Sequence, residues 1–173
     1  MNEYIINVGC RNDKRSIGLA TRKGNYIENA RKEERAPDAM RSAYEMFKKQ
    51  HSSIEARSLS ASYNCMGMVF ASRRTNIDVE RAIKLILKDD EYVQVVEIKN
   101  VQKGDIVVYY KDERPTHVGV VVNIEKIVGN ASWDITILSQ WGNDGEYFHN
   151  VSDVPVLYGT KIEYWTDRKN EYQ

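Results

Sequence analysis

The sequence predicts an α+β protein with helices in the first half and a mostly antiparallel β-sheet in the second. Before residue 91, apolar residues recur at helical spacing, with Met40, Ala43, Tyr44 and Phe47 in one segment and Val79, Ala82, Ile83, Ile86 and Leu87 in another. After residue 91 the pattern changes to short β-branched and aromatic runs separated by turn residues. A length of 173 residues suits one domain with a sizeable core. Residues 1–54 are expected to form an extension with one helix, packed on a body of residues 55–173. No repeat, low-complexity tract or interdomain linker interrupts the chain.

In chain order, residues 4–8 read as a short strand and residues 9–35 as irregular. Pro37 and Asp38 open a helix that runs through Lys49 and ends at His51-Ser52-Ser53. Residues 54–62 lead into a short helix that carries Cys65, with Arg73 and Arg74 suited to its C-terminal end. Asp78 is placed to cap the next helix, which ends at Lys88. Strands are expected over 92–98, 106–110, 117–122 and 135–141, with short ones over 147–149 and 162–165. A charged loop is expected over 111–116, a connection over 123–132 and a frayed tail over 167–173.

Composition narrows the function classes. The chain has 25 basic and 25 acidic side chains, so net charge makes no case for binding nucleic acid or a membrane surface. The first 50 residues hold 11 basic against 7 acidic side chains and the rest hold 14 against 18, a mild asymmetry that ordinary solvated surface also explains. Two cysteines give no disulfide framework, and no apolar stretch approaches the ~20 residues of a membrane span. No signal peptide is legible. The expectation is a soluble protein, cytoplasmic at synthesis, with signal-less export left open. The scattered Cys and His residues lack metal-ligand spacing, and no glycine-rich phosphate loop occurs, so neither metal nor cofactor is expected. Cys10 is read as structural.

The chemistry centres on Cys65. It follows polar residues and opens an apolar run, so its thiol is expected on the first turn of a buried helix. Free N–H groups and the helix dipole favour thiolate there. An isolated cysteine among apolar residues is also a common small core residue, and the stretch fits both. A cysteine nucleophile needs a base. His51 reads as a surface residue, and His149 as a satisfied structural histidine or a group that supports the site from behind. His117 opens a strong strand after a charged loop, where a side chain can look into a cleft, although a strand-end histidine can also be idle. If strand 135–141 runs antiparallel to strand 117–122, its last residues face His117. Gln140 is the first candidate to orient the imidazole, with Ser139, on the opposite face, second. An ordinary strand-end glutamine fits equally well. The Cys65 backbone N–H could hold an oxyanion, helped by the Tyr63 hydroxyl, unless Tyr63 is a packing aromatic. Asn64 and Trp141 flank these groups and complete the candidate site.

Asn64-Cys65-Met66-Gly67-Met68-Val69-Phe70 resembles the nucleophile motif of NlpC-type and CHAP-type papain-like cysteine peptidases, typically Asp-Cys-Ser-Gly-Leu-Val. Gly104-Asp105-Ile106-Val107-Val108-Tyr109 is similar to their Gly-Asp strand, and Thr116-His117-Val118-Gly119-Val120-Val121 to their histidine strand. The three motifs occur in the family's order, over residues 55–142. The resemblance implies a papain-like fold, Cys65 as nucleophile and His117 as base. It also implies a bacterial or phage hydrolase that cleaves peptide or amide bonds of peptidoglycan or protein through a thioester. In the CHAP pattern a polar residue next to a tryptophan follows the histidine, which maps onto Gln140 before Trp141. Asn64 stands where the family has aspartate, Met66 where it has serine, and the CHAP acid has no equivalent near Leu138. Two other functions compete: an acyltransferase or deamidase on this fold, and a catalytically inactive binding module that takes a protein partner or inhibitor.

Overall fold

The computed structural model describes residues 15–60, 62–129 and 132–168. The strand expected over 4–8, Cys10 and the chain after Arg168 lie outside those residues. Three helices are described. α1 (Pro37–Gln50) starts on proline, carries Asp38 in its first turn and Lys48 and Lys49 in its last, and so matches the helix dipole at both ends. α2 (Cys65–Phe70) is capped by Asn64, whose side chain accepts from the Gly67 N–H at 3.0 Å. It ends where Ser72 and Arg73 take positive φ and the Arg73 N–H returns to the Gly67 carbonyl at 2.9 Å. α3 (Val79–Asp89) is capped by Asp78 and buries Ala82, Ile83, Ile86 and Leu87, the face its periodicity predicts. Among the described residues no helix is long and apolar enough to cross a membrane.

The main sheet has seven strands: β2 (Glu55–Ser58), β4 (Val93–Val95), β5 (Ile106–Lys111), β6 (Arg114–Lys126), β7 (Trp133–Trp141), β8 (Gly145–Asn150) and β9 (Lys161–Thr166). Their order is β2-β8-β7-β6-β5-β9-β4, with antiparallel pairing throughout. Separately, β1 (Asn29–Ala30) and β3 (Asn76–Ile77) pair as a small two-stranded sheet. The mixed α/β class with an antiparallel sheet is as expected, and several boundaries are not. β1 lies in the segment read as irregular, and β2 and β3 are likewise unexpected, because strands of two to four residues carry too little alternation to stand out. The loop expected over 111–116 is a tight turn. Asp112 and Glu113 both take positive φ, 50° and 60°, which matches the strand twist, and β6 begins at Arg114. Pro115 lies in β6 where the β5–β6 register shifts, a place that tolerates a missing N–H. The tail is fixed at least to Arg168, whose guanidinium grips the buried Asp105 carboxylate at 2.8 and 2.9 Å.

Both faces of the sheet are apolar, and both are covered. Ile106, Val108 and Val118 pack with Cys65 and Met66 of α2 and with Ile83, Ile86 and Leu87 of α3. On the other face Val107, Tyr109, Val121, Ile135, Ile137, Trp141 and Tyr147 form a second core that α1 closes with Tyr44 and Phe47. Tyr44 stacks on Tyr147 with centroids 5.7 Å apart, and Phe47 meets Trp141 edge-on at 5.2 Å. The helices therefore flank the sheet. Amphipathic patterning shows that α1 buries one side, but not against which sheet face.

Candidate active site

The first turn of α2 sets the position of Cys65, and three contacts fix that turn. Asn64 Oδ1 accepts from Ile77 N (3.2 Å) as well as Gly67 N, and its Nδ2 donates to Ile77 O (2.7 Å). Gly67 lies so close to residue 75 that a Cβ on it would fall 1.7 Å from the Thr75 carbonyl oxygen. α2 thus seats on the loop before β3 and presents Cys65 to β6. The thiol is 5% exposed and packs in the core with Val118, whose backbone N–H bonds the sulfur. β6 and β7 pair from Val120↔Leu138 onward, so the start of β6 lies before that pairing. Burial pushes the thiol up to about 11, against the backbone N–H groups of Val118, Met66 and Cys65 itself, which pull it down. The expected thiolate-favouring effect of the helix start is present but loses to desolvation, because α2 has only six residues and its tip is buried.

His117 precedes Val118 on β6. Alternation turns Val118 toward Cys65 and the imidazole toward the aromatic layer. There the ring lies flat on Tyr158, centroids 3.8 Å apart and planes 5° apart, and tilted to Tyr109 at 5.6 Å. It is 1% exposed, and its buried Nε2 has no hydrogen-bond partner among the described residues. Burial, and then the neighbouring His149, hold it well below the usual imidazole range. Cys65 and His117 thus lie against neighbouring residues of β6 but on its opposite faces, both neutral. Tyr158 links them, since its ring covers the imidazole and the nearby Cys65 helps burial raise its phenol pKa.

The other sequence candidates have different tasks. Gln140 Nε2 donates to the Ser60 carbonyl at 2.7 Å, holding the strand that leads to Cys65, while its buried Oε1 is unpaired. It does not orient the imidazole, because among the described residues neither Oε1 nor His117 Nε2 has a partner. Ser139 lies in the aromatic layer. His149 Nδ1 faces the Asn150 carbonyl at 2.8 Å and so carries the proton, which leaves Nε2 to accept from the Ser139 hydroxyl at 2.8 Å. Trp141 is buried, donates to Ser139 Oγ at 3.0 Å and cannot line a substrate cleft. His51, read as exposed, is mostly buried: its ring stands on Trp141 and its Nδ1 meets Asp153 at 2.7 Å. Asn64 spends its amide on the scaffold.

Tyr63 is not free for an oxyanion either. Its hydroxyl donates to Glu146 Oε1 at 2.7 Å, and Arg73 and Arg57 also grip that fully buried carboxylate, at 2.5 and 2.7 Å. Burial would raise the carboxyl pKa, but hydrogen bonds from Arg73 and Tyr63 and the charges of Arg73 and Arg57 bring it below its ordinary value. Glu146 ties β2, the approach to Cys65 and the exit of α2 to β8. Sequence reasoning missed it, although an acid flanked by Gly145 and Tyr147 in a strand is a legible signal. Tyr158 was also missed. Its only trace is the Pro155 and Gly159 that bracket the 3-10 turn Val156–Tyr158.

A groove of about 800 Å³ runs beside the site. Asn64 and Pro115 line it together with Ile27, Asn76, Val79 and Leu85, whereas Cys65 and His117 do not. Among the described residues no group of three or more His, Cys, Asp or Glu could hold a metal ion. Comparison of the chain with protein-family models, curated proteins and solved structures finds no match.

Proposed function

We propose that this chain is a papain-like cysteine hydrolase of the NlpC/CHAP type that cleaves a peptide or amide bond. The observation that supports this most is local. A cysteine on the first turn of α2 abuts the β6 backbone at Val118, the residue after His117, while that histidine keeps a buried nitrogen with no partner among the described residues. Helix, Gly-Asp strand and histidine strand follow in the order the motifs imply.

In the proposed reaction substrate first turns the His117 imidazole from the aromatic face of β6 to the thiol's side; His117 then takes the Cys65 proton, and the thiolate adds to the carbonyl carbon. The oxyanion lies against backbone N–H groups at the start of α2. Imidazolium then protonates the departing amine, leaving a thioester. Water, deprotonated by the imidazole, adds to the thioester, the acid leaves, and sulfur regains its proton. At rest the proton stays on sulfur, because burial disfavours both charged forms. Substrate must therefore open the site, and the groove beside Asn64 and Pro115 is the approach.

The burial of both groups also supports a second reading, a non-catalytic binding module on the same scaffold. Thiol labelling decides between them. A small haloacetamide should modify Cys65 in the native chain far faster than Cys10, and His117→Ala should slow it. Labelling of Cys65 only on unfolding favours the binding module. With a captured substrate, mass spectrometry separates cleavage from deamidation or acyl transfer.

A further inference from the structure

We propose that the groove beside Asn64 and Pro115 takes an uncharged, apolar residue of an extended peptide, with Asn76 accepting one of the peptide's N–H groups. The proposal names the substrate class of the hydrolase reading and rests on that reading for the role of Cys65. The groove lies on the thiol's face of β6: Ile27, Ile77 and Ala82 line it and belong to the same apolar core as Cys65. Asn64, the residue before the thiol, lines it too. A peptide held there abuts the start of α2 and needs no contact with the imidazole on the opposite face.

Charge is sorted within the groove. Glu28, Lys32, Asp78, Glu80 and Arg81 are all exposed and make a rim of mixed sign. The buried and half-buried side chains of the lining carry no charge, and Val79, Leu85 and Pro115 complete an apolar wall. A charged side chain laid against that wall would leave water without gaining an ion pair, whereas an apolar one gains contact. A volume of about 800 Å³ accommodates a side chain with its flanking amides. Three asparagines line the groove, and two are spent. Asn29 bonds Ile17, Ile27 and Thr75, and Asn64 bonds Gly67 and Ile77. Asn76 differs. It is 8% exposed, its Nδ2 donates to the Ser62 carbonyl at 3.2 Å, and its Oδ1 has no partner among the described residues. A buried acceptor without a donor carries a desolvation penalty that a donor removes. A backbone N–H is such a donor and brings no charge, and every peptide residue except proline carries one. The apolar wall and the open acceptor together match an apolar residue and an adjoining amide.

The test titrates N-acetyl-leucine methylamide into the isotope-labelled full chain and follows the backbone amide resonances of Val79, Ala82 and Leu85 by NMR. The matching aspartate and lysine compounds serve as comparisons. The leucine compound should shift those resonances saturably, and the charged compounds should bind at least about tenfold more weakly. Equal binding of the three compounds, or no shift at those residues, overturns the proposal. A leucine compound with both amide nitrogens methylated keeps the side chain but has no N–H, and should also bind more weakly; equal affinity overturns the role of Asn76. Val79→Asp puts a charge on the wall at a helix start that tolerates an acid, and should weaken the leucine compound at least about tenfold. Unchanged affinity overturns the proposal. If that variant does not fold, Leu85→Gln takes its place with the same expectation. Failure of the hydrolase reading looks different: iodoacetamide then labels Cys65 only on unfolding, while the leucine shifts persist.

Discussion

His149 and His117 are held as neutral imidazoles, and that has a cost in acid. Burial brings His149 down to about 4, although its bond to the Asn150 carbonyl pulls the other way. In the unfolded chain a histidine titrates near ~6.5. As pH falls from there to about 4, the unfolded chain binds a proton that the native protein refuses, so stability present at neutral pH is lost across that window. The loss from His149 is about 3 kcal/mol on the order-of-magnitude rule for a pKa shift, and His117 acts in the same direction. Urea midpoints should therefore fall steadily between pH 7 and pH 5, and His149→Gln should flatten the curve. A wild-type midpoint that does not change with pH would contradict the buried neutral state. Ser139 fits the same picture, with its hydroxyl used to satisfy a core histidine rather than to meet substrate.

α2 is too short to be stable by itself, so its position is set by its contacts. The tightest is Gly67 against the Thr75 carbonyl, where no Cβ fits without moving backbone. Gly67→Ala should cost at least about 2 kcal/mol, more than its better helix propensity returns, and should displace Cys65 from Val118. Calorimetry checks the first effect and alkylation of Cys65 the second; a melting temperature equal to wild type would mean that the close approach is absent. Glu146 holds the neighbouring backbone from below through Tyr63, Arg57 and Arg73. The helix that carries Cys65 is thus fastened by a glycine contact and by a buried carboxylate.

Seven strands in an open sheet leave two edges, β2 and β4. β4 is short, which limits unwanted pairing, but its surroundings are apolar: Val96 is 86% exposed, with Val93 and Ile98 beside it. Val96→Lys should leave the melting temperature nearly unchanged, within the ±0.5 kcal/mol typical of surface changes, and should reduce light scattering from concentrated samples. Equal scattering by both proteins would place self-association elsewhere. Across the sheet, α2 and α3 on one face and α1 on the other make the β6 strand the centre of the molecule, with the thiol's core on one side of it and the imidazole's on the other.

Local pattern alone located α1, α3 with its Asp78 cap and the central strands, and it put Cys65 on the first turn of a helix, because helix period, strand alternation and capping involve neighbours in sequence. It also set the order of cysteine, Gly-Asp strand and histidine strand. Tertiary structure decided the rest. Burial raised a thiol that the helix start would lower, Gln140 turned to Ser60, and Tyr158 came from 41 positions beyond His117 to cover its ring. Desolvation and ring stacking depend on atoms far apart in the chain, and no short window of sequence contains them.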